Sequence, residues 1–245
     1  VIELGEGARL RRATLDDLDA LLAIRRALPM PSPSELSEAS PTLADERPQT
    51  RRGGFLLGCD AAHYAQLLTL ARVWLLELDG EAGGFSVTLD DPVLRASPIW
   101  ARRDAIAWTD EVDPAQLPAR RVAYFDQLAV LPRMRSRYWG AALGLRALAE
   151  QIVEHGHDLV LTTTVIAPVH NRAALPYLDQ IGARRVGQID EHYPEVGQIV
   201  SAIHMLDAPR YHQRLADLRD DQGPAIARVQ QMRRLIRIID ASLDR

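Results

Sequence analysis

The chain has 245 residues, 47% of them apolar and 25% charged, with a formal net charge of −4. That composition suits one globular catalytic domain with an appendage, and it sets up no basic field that would draw in nucleic acid or anionic lipid. All 29 basic residues are Arg, which excludes any mechanism that needs a Lys nucleophile or Schiff base. Cys59 is the single cysteine, so an intramolecular disulfide or a Cys-rich zinc site is excluded, and a reducing compartment is expected. It follows Phe55, Leu56 and Leu57 and reads as a small core residue. Val1, Ile2 and Glu3 begin no charged-then-apolar leader, and no apolar run approaches the ~20 residues of a membrane span. The expected setting is therefore cytoplasmic, with no membrane partner.

Residues 8–12 read as a strand, followed by a helix over 14–28 with Thr14 as its cap and Asp16 and Asp17 in its first turn. The stretch 29–54 is rich in Pro, Ser and Glu, lacks periodicity, and reads as a loop that acts as a lid. A helix is expected over 60–71, then strands over 72–78 and 83–89 joined by a tight turn at Asp79-Gly80. Residues 90–119 are punctuated by Pro, contain Trp100 and Trp108, and read as an irregular insertion.

The clearest pattern starts with a strand over 122–130, an Arg-rich loop over 133–138, and a helix over 139–155. Leu145, Leu148, Ala149 and Ile152 form the core face of that helix, and Gly156 ends it. Residues 159–166 are apolar and β-branched, as in a strand buried on both faces. A helix over 171–181 ending at Gly182 and two closing strands, 184–189 and 198–206, complete the domain. The hairpin between those strands carries His192, Tyr193 and Pro194. Residues 1–207 thus form the domain, and 208–245 a helical extension. In the extension Ala225, Val229, Met232, Ile236, Ile239 and Leu243 recur at intervals of four and three. Two readings of that stripe stand level: a helix docked on its own domain, or a homodimer contact.

The strand–loop–helix unit carries the chemistry. A helix N-terminus presents unpaired N–H groups and the positive end of a dipole, which suits a phosphate. Arg133, Arg135 and Arg137 surround it, Ser136 adds a hydroxyl, and Gly140 and Ala141 allow close backbone approach. Such a loop can hold a diphosphate without a metal, or it can be an exposed basic turn that binds nothing. No histidine has carboxylate or cysteine partners at ligand spacing, so no metal is expected.

The run Arg135-Ser136-Arg137-Tyr138-Trp139-Gly140, after the strand ending at Val130-Leu131-Pro132, resembles the acetyl-CoA motif of GNAT-type N-acetyltransferases. That motif is Gln or Arg, two residues, Gly, any residue, then Gly or Ala. Asn171, Ala174 and Gly182 match a second family pattern downstream. Tyr138 replaces the motif's first glycine, and Leu178 falls where the family's thiolate-protonating tyrosine stands. The resemblance spans most of residues 8–206 but not the 29–54 loop, the 90–119 insertion or the tail. It implies a mixed, mostly antiparallel twisted sheet of about six or seven strands flanked by helices, open between the 122–130 and 159–166 strands.

It further implies coenzyme contacts at Leu128, Ala129 and Val130, at Arg135, Ser136, Arg137, Tyr138, Trp139, Gly140 and Ala141, and at Asn171. The implied activity is acyl transfer from acetyl-CoA to a primary amine of a small molecule or a protein. The other reading is a catalytically degenerate module that binds coenzyme A. Asp126 is the candidate general base, acting through water, or else a structural acid paired with an Arg. Tyr177, next to Leu178, is the candidate acid for the leaving thiolate.

Overall fold

The chain opens with an antiparallel pair, β1 (Ile2–Gly5) and β2 (Ala8–Arg12), that buries Leu4, Ala8 and Leu10 on one face. This computed structural model describes residues 1–28, 49–50, 56–135, 138–194, 196–220 and 227–243. Most of the 29–54 stretch, with its expected lid, lies outside them. A single 3-10 turn, Leu15–Asp17, leads into α1 (Leu18–Arg26), and Asp17 accepts the Thr14 backbone N–H at 2.8 Å. After the two-residue β3 (Gln49–Thr50) comes α2 (Ala61–Leu70), capped by the Asp60 carboxylate. β4 (Arg72–Leu78) and β5 (Glu81–Leu89) meet at Asp79-Gly80, where both residues have positive φ, 51° and 85°, as a tight hairpin turn demands.

The 90–119 segment is more ordered than its composition suggests. Asp90 and Ser97, each with a Pro close behind, cap two short helices, α3 (Asp91–Arg95) and α4 (Pro98–Ala101), before a brief strand β6 (Ala107–Trp108). β7 (Val122–Val130) leads through a single turn, α5 (Pro132–Arg135), into α6 (Trp139–Ala149), which continues as a π-turn over Glu150–Glu154. β8 (Leu159–Ala167) and β9 (His170–Asn171) follow. α7 (Leu175–Ile181) is shorter than expected because Pro176, which has no N–H to give, sits in its first turn. Asn171 is therefore on β9 and not on a helix. β10 (Arg184–Tyr193) and β11 (Gly197–Asp207) extend further than expected, so His192 and Tyr193 belong to a strand. α8 (Ala208–Asp220) and α9 (Ala227–Leu243) end the described chain.

The sheet has the order β1-β2-β4-β5-β7-β8-β11-β10-β6. Seven long strands match the expected number, and the short β1 and β6 extend the two edges. Every pairing in it is antiparallel except the central one, β7 with β8. One face packs on α6, α8 and α9 through Leu143, Leu148, Tyr211 and Ile236; the other packs on α1, α2 and α3 through Ile24, Tyr64 and Leu94. No described helix is long and apolar enough to cross a membrane.

The apolar stripe of the extension resolves into this core. Met232, Leu235, Ile236 and Ile239 are buried in the same cluster as Leu143 and Leu148 of α6. The Arg234 guanidinium donates to the Leu4 carbonyl of β1 at 3.0 Å. Met232, Ile236 and Ile239 of the stripe are thus covered by their own domain, as the docked-helix reading expects. Leu235 has no exposed surface, so Leu235→Ala is expected to destabilise the protein by about 2–5 kcal/mol in urea denaturation. A loss below about 0.5 kcal/mol, as at an ordinary surface site, would contradict this packing.

Candidate active site

The site begins where β7 and β8 part. They pair in parallel only from Val122 opposite Leu159 to Phe125 opposite Thr162. The Thr162 hydroxyl donates to the Phe125 carbonyl at 2.7 Å and closes the last rung. Beyond it, β7 stays with β5 and β8 stays with β11, so a gap opens in the sheet. The expected opening between these strands is present. It coincides with a β-bulge: Phe125 opposes Thr88 and Gln127 opposes Val87, which leaves Asp126 as the extra residue.

The bulge turns Asp126 and Gln127 to the same side. The Gln127 amide donates to Asp126 Oδ2 and to Cys59 Sγ, both at 3.1 Å, while its Oε1 accepts from the Tyr64 hydroxyl at 3.0 Å. Strict alternation from Tyr124 therefore ends at Asp126, and Ala129 joins Tyr124 in the α2-side core. The Leu131 N–H donates to the Gly83 carbonyl at 2.8 Å on the β5 side. Amides alternate along a strand, so those of Leu128 and Val130 address the opposite edge, toward the gap.

A cavity of about 920 Å³ runs through this gap. It is bordered by Asp126, Leu128, Ala129 and Val130 on β7, by Tyr138, Gly140 and Ala141 at the head of α6, and by Asn171 and Tyr177. Most of the residues singled out in the sequence thus meet around one space. Trp139 does not: it is 4% exposed and packs in the α6-side core. Ser136, Arg137 and the Arg135 side chain lie outside the described residues. Asn171 borders the cavity, but its Oδ1 accepts the Ala173 N–H at 3.0 Å in a local turn.

Tyr138 explains its own departure from the motif. It occupies the left-handed region, φ 56° and ψ 19°, at the cap of α6. A glycine enters that region without penalty; here a tyrosine takes the same backbone path, with its ring 39% exposed at the cavity rim.

Asp126 has no ion pair among the described residues, so the pairing with an Arg that its alternative role required is not found there. Burial pushes its carboxyl up to about 6; the Gln127 hydrogen bond and nearby His63 oppose that rise, and Glu191 adds to it. Such a group changes charge close to neutral pH, as a general base should. Glu191, in contrast, is satisfied: Arg102 reaches it at 3.0 Å and the Tyr193 hydroxyl donates to it at 3.3 Å. Tyr193 borders the cavity, whereas His192 faces outward and does not. Cys59 is a core thiol as expected, and burial pushes it up to about 11.

Tyr177 fits its candidate role poorly. Its ring borders the cavity, but its hydroxyl is buried and has no hydrogen-bond partner among the described residues. It lies against α6 so closely that a Cβ on Gly144 would fall 2.5 Å from the oxygen. Burial drives its proton affinity well above the ordinary tyrosine range. Leu178 is buried in the core. A group in the cavity therefore meets no hydroxyl from α7 in this arrangement.

Sequence reasoning missed Gln127, Tyr64, Glu191 and the α3–α4 wall. The residues were legible, but the bulge that joins Gln127 to Asp126 depends on the β5 register. Glu150, Glu154 and His155 also come together within metal-ligand distance of one another. Their carboxylates already have partners: Arg12 and the Trp74 indole N–H bind Glu150, and Arg146 binds Glu154 at 2.8 Å. Arg12 and Arg146 also stack on the Trp74 ring at 4.9 and 4.3 Å. This is an anchor for α6, distant in role from the cavity.

Neither a family profile nor a curated protein matches the chain. Solved structures do, and they show that the chain has the GNAT-type N-acetyltransferase fold. An N-acyl amino acid synthase from uncultured soil microbes aligns over 84% of this chain and 94% of its own, with TM-score 0.53 and 16% identity. A spermidine N-acetyltransferase from Vibrio cholerae aligns over 86% and 99%, with TM-score 0.51 and 13% identity. A ribosomal-protein-alanine N-acetyltransferase from Brucella melitensis aligns over 81% and 99%, with TM-score 0.50 and 16% identity.

The backbone at Tyr138 yields a direct prediction. A side chain in the left-handed region costs about 1–2 kcal/mol, so Tyr138→Gly should raise stability by about 1 kcal/mol in denaturant titration. A net loss would mean that packing of the ring outweighs the backbone conformation.

Proposed function

We propose that the chain is an acetyl-CoA-dependent N-acyltransferase that moves an acyl group to a primary amine of a small molecule or a protein. The observation that carries this reading is Asp126, a carboxylate without an ion-pair partner among the described residues, standing where β7 and β8 separate. The cavity beside it reaches the head of α6. The three neighbours above are each named for joining an acyl group to a nitrogen, which supports the same chemistry here.

The residues present fit an acyl-CoA. Small residues Gly140 and Ala141 border the cavity at a helix N-terminus, where backbone N–H groups suit a diphosphate. Arg135, Ser136 and Arg137 precede it and would add guanidinium and hydroxyl donors. The Leu128 and Val130 amides would receive the pantetheine arm, and Ala129, Tyr138 and Asn171 complete the proposed coenzyme contacts. When bound, the coenzyme supplies an activated thioester. Asp126 takes a proton from the incoming ammonium, directly or through one water, and frees the nitrogen lone pair for attack. One C–N bond forms and one C–S bond breaks; the second nitrogen proton leaves with the sulfur as free thiol. No metal enters this scheme, and the single buried thiol is compatible with a reducing cytoplasm.

A second reading rests on Tyr177. With its hydroxyl packed against Gly144 and Leu178 in the family's tyrosine position, the chain would bind coenzyme A without turnover. Free thiol released from acetyl-CoA by a panel of amines supports the enzyme; tight coenzyme binding with no thiol from any amine supports the binding module.

Two variants test the assignment. Because the base must be ionised, kcat/KM should rise with pH through about 6, and Asp126→Asn should lose about 10²–10⁴-fold in rate together with that rise. A variant that keeps the wild-type pH profile would remove Asp126 from the chemistry. Arg135→Glu combined with Arg137→Glu should weaken coenzyme A binding at least tenfold in calorimetry while the protein stays folded. Unchanged affinity in the folded double variant would count against the diphosphate site.

A further inference from the structure

The charges that the described residues bring to the cavity are few, and they are unequal. Among the described residues that border it, only His63, Arg102, Asp126 and Glu191 carry ionisable side chains other than Tyr and Cys. Arg102 and Glu191 satisfy each other at 3.0 Å. Asp126 is left as the carboxylate that a cation would complete, with His63 nearby as a weak partner.

Much of the rest of the wall is apolar: Leu67 and Leu70 of α2, Leu89 at the end of β5, Val93 of α3 and Ile99 of α4 border the cavity, with Gln66 of α2 and Ser97 among the polar residues beside them. Leu70 is 51% exposed although it is a large apolar residue. A ligand that covered it would remove unfavourable contact with water.

Resting on the acyltransferase reading, we infer that the acceptor is a small amine with one cationic nitrogen and an apolar substituent. The ammonium meets Asp126, and an alkyl or aryl group fills the space between α2, α3 and α4. A polyamine finds one carboxylate for several charges, and a peptide brings backbone polar groups that these leucines cannot hydrogen-bond. The neighbour that acts on spermidine shares the fold, but this arrangement of charge favours a different acceptor.

The test is acetylation of propyl-, butyl-, pentyl- and hexylamine, spermidine, and a short peptide with a free amino terminus, each read as thiol released from acetyl-CoA. The kcat/KM is expected to rise up to about fourfold per added methylene, with hexylamine at least tenfold above spermidine and the peptide. A flat series, or preference for spermidine or the peptide, overturns the inference. Leu70→Gln, at a half-exposed position that the fold tolerates, should reduce the hexylamine-to-propylamine ratio; an unchanged ratio also counts against it. Hexanoyl-CoA in place of acetyl-CoA distinguishes the other use of the same space. If it is the better donor and abolishes the preference for longer amines, the room belongs to the acyl chain and the inference falls. Should no amine release thiol, the acyltransferase reading fails by itself. Calorimetric binding of hexylamine against spermidine then decides the pocket: tighter hexylamine binding supports it, and equal or weaker binding overturns it.

Discussion

The structure depends on a hydrogen-bond ladder that stops. β7 and β8 share four residue pairs and then separate, each keeping a partner on its other side. Past those pairs the facing edges of β7 and β8 no longer bond to each other, and the cavity lies between them. The sheet stays continuous through the four shared pairs, while β5 and β11 hold the outer sides of the slot. Everything assigned to the site is positioned relative to that slot.

The bulge at Asp126 does two things at once. It helps bend β7 away from β8, and it turns two successive polar side chains toward the same face. Gln127 is held by the buried Tyr64 hydroxyl and in turn donates to Asp126. The carboxylate is thus desolvated, oriented and left without a strong cation among the described residues. Burial outweighs the opposing hydrogen bond, which is why its proton affinity moves upward. Removing water is what raises the basicity of a carboxylate on this strand.

The head of α6 borders the slot, and the opposite end of that helix is anchored to the sheet. The π-turn places Glu150 between Arg12 and the Trp74 indole, and the two arginines stack on that ring. Gln151 reaches Thr88 of β5 at 2.7 Å. α9 covers the same helix from outside with Leu235 and Ile236. The C-terminal extension is therefore part of the domain's core, and its cost in residues goes to holding one helix against the sheet.

Much of this was legible in the chain itself. Local signals with short reach marked the elements: the Thr14 cap, the Asp79-Gly80 turn, the apolar period of α6, and the β-branched run of β8. The order of strand, Arg-rich loop and helix also pointed to the fold. What the sequence could not determine depends on contacts between distant residues. The register of β7 on β5 makes Asp126 a bulge, α2 supplies the tyrosine that holds Gln127, and Arg102 neutralises Glu191 across 89 positions of chain. The stripe in α9 had the same pattern whether it met its own domain or a second copy, because periodicity records that a face is apolar and not what covers it. Tyr177 looked available for the same reason: a helical position specifies a direction, but only the packing of α7 on α6 decided that its hydroxyl lies against Gly144.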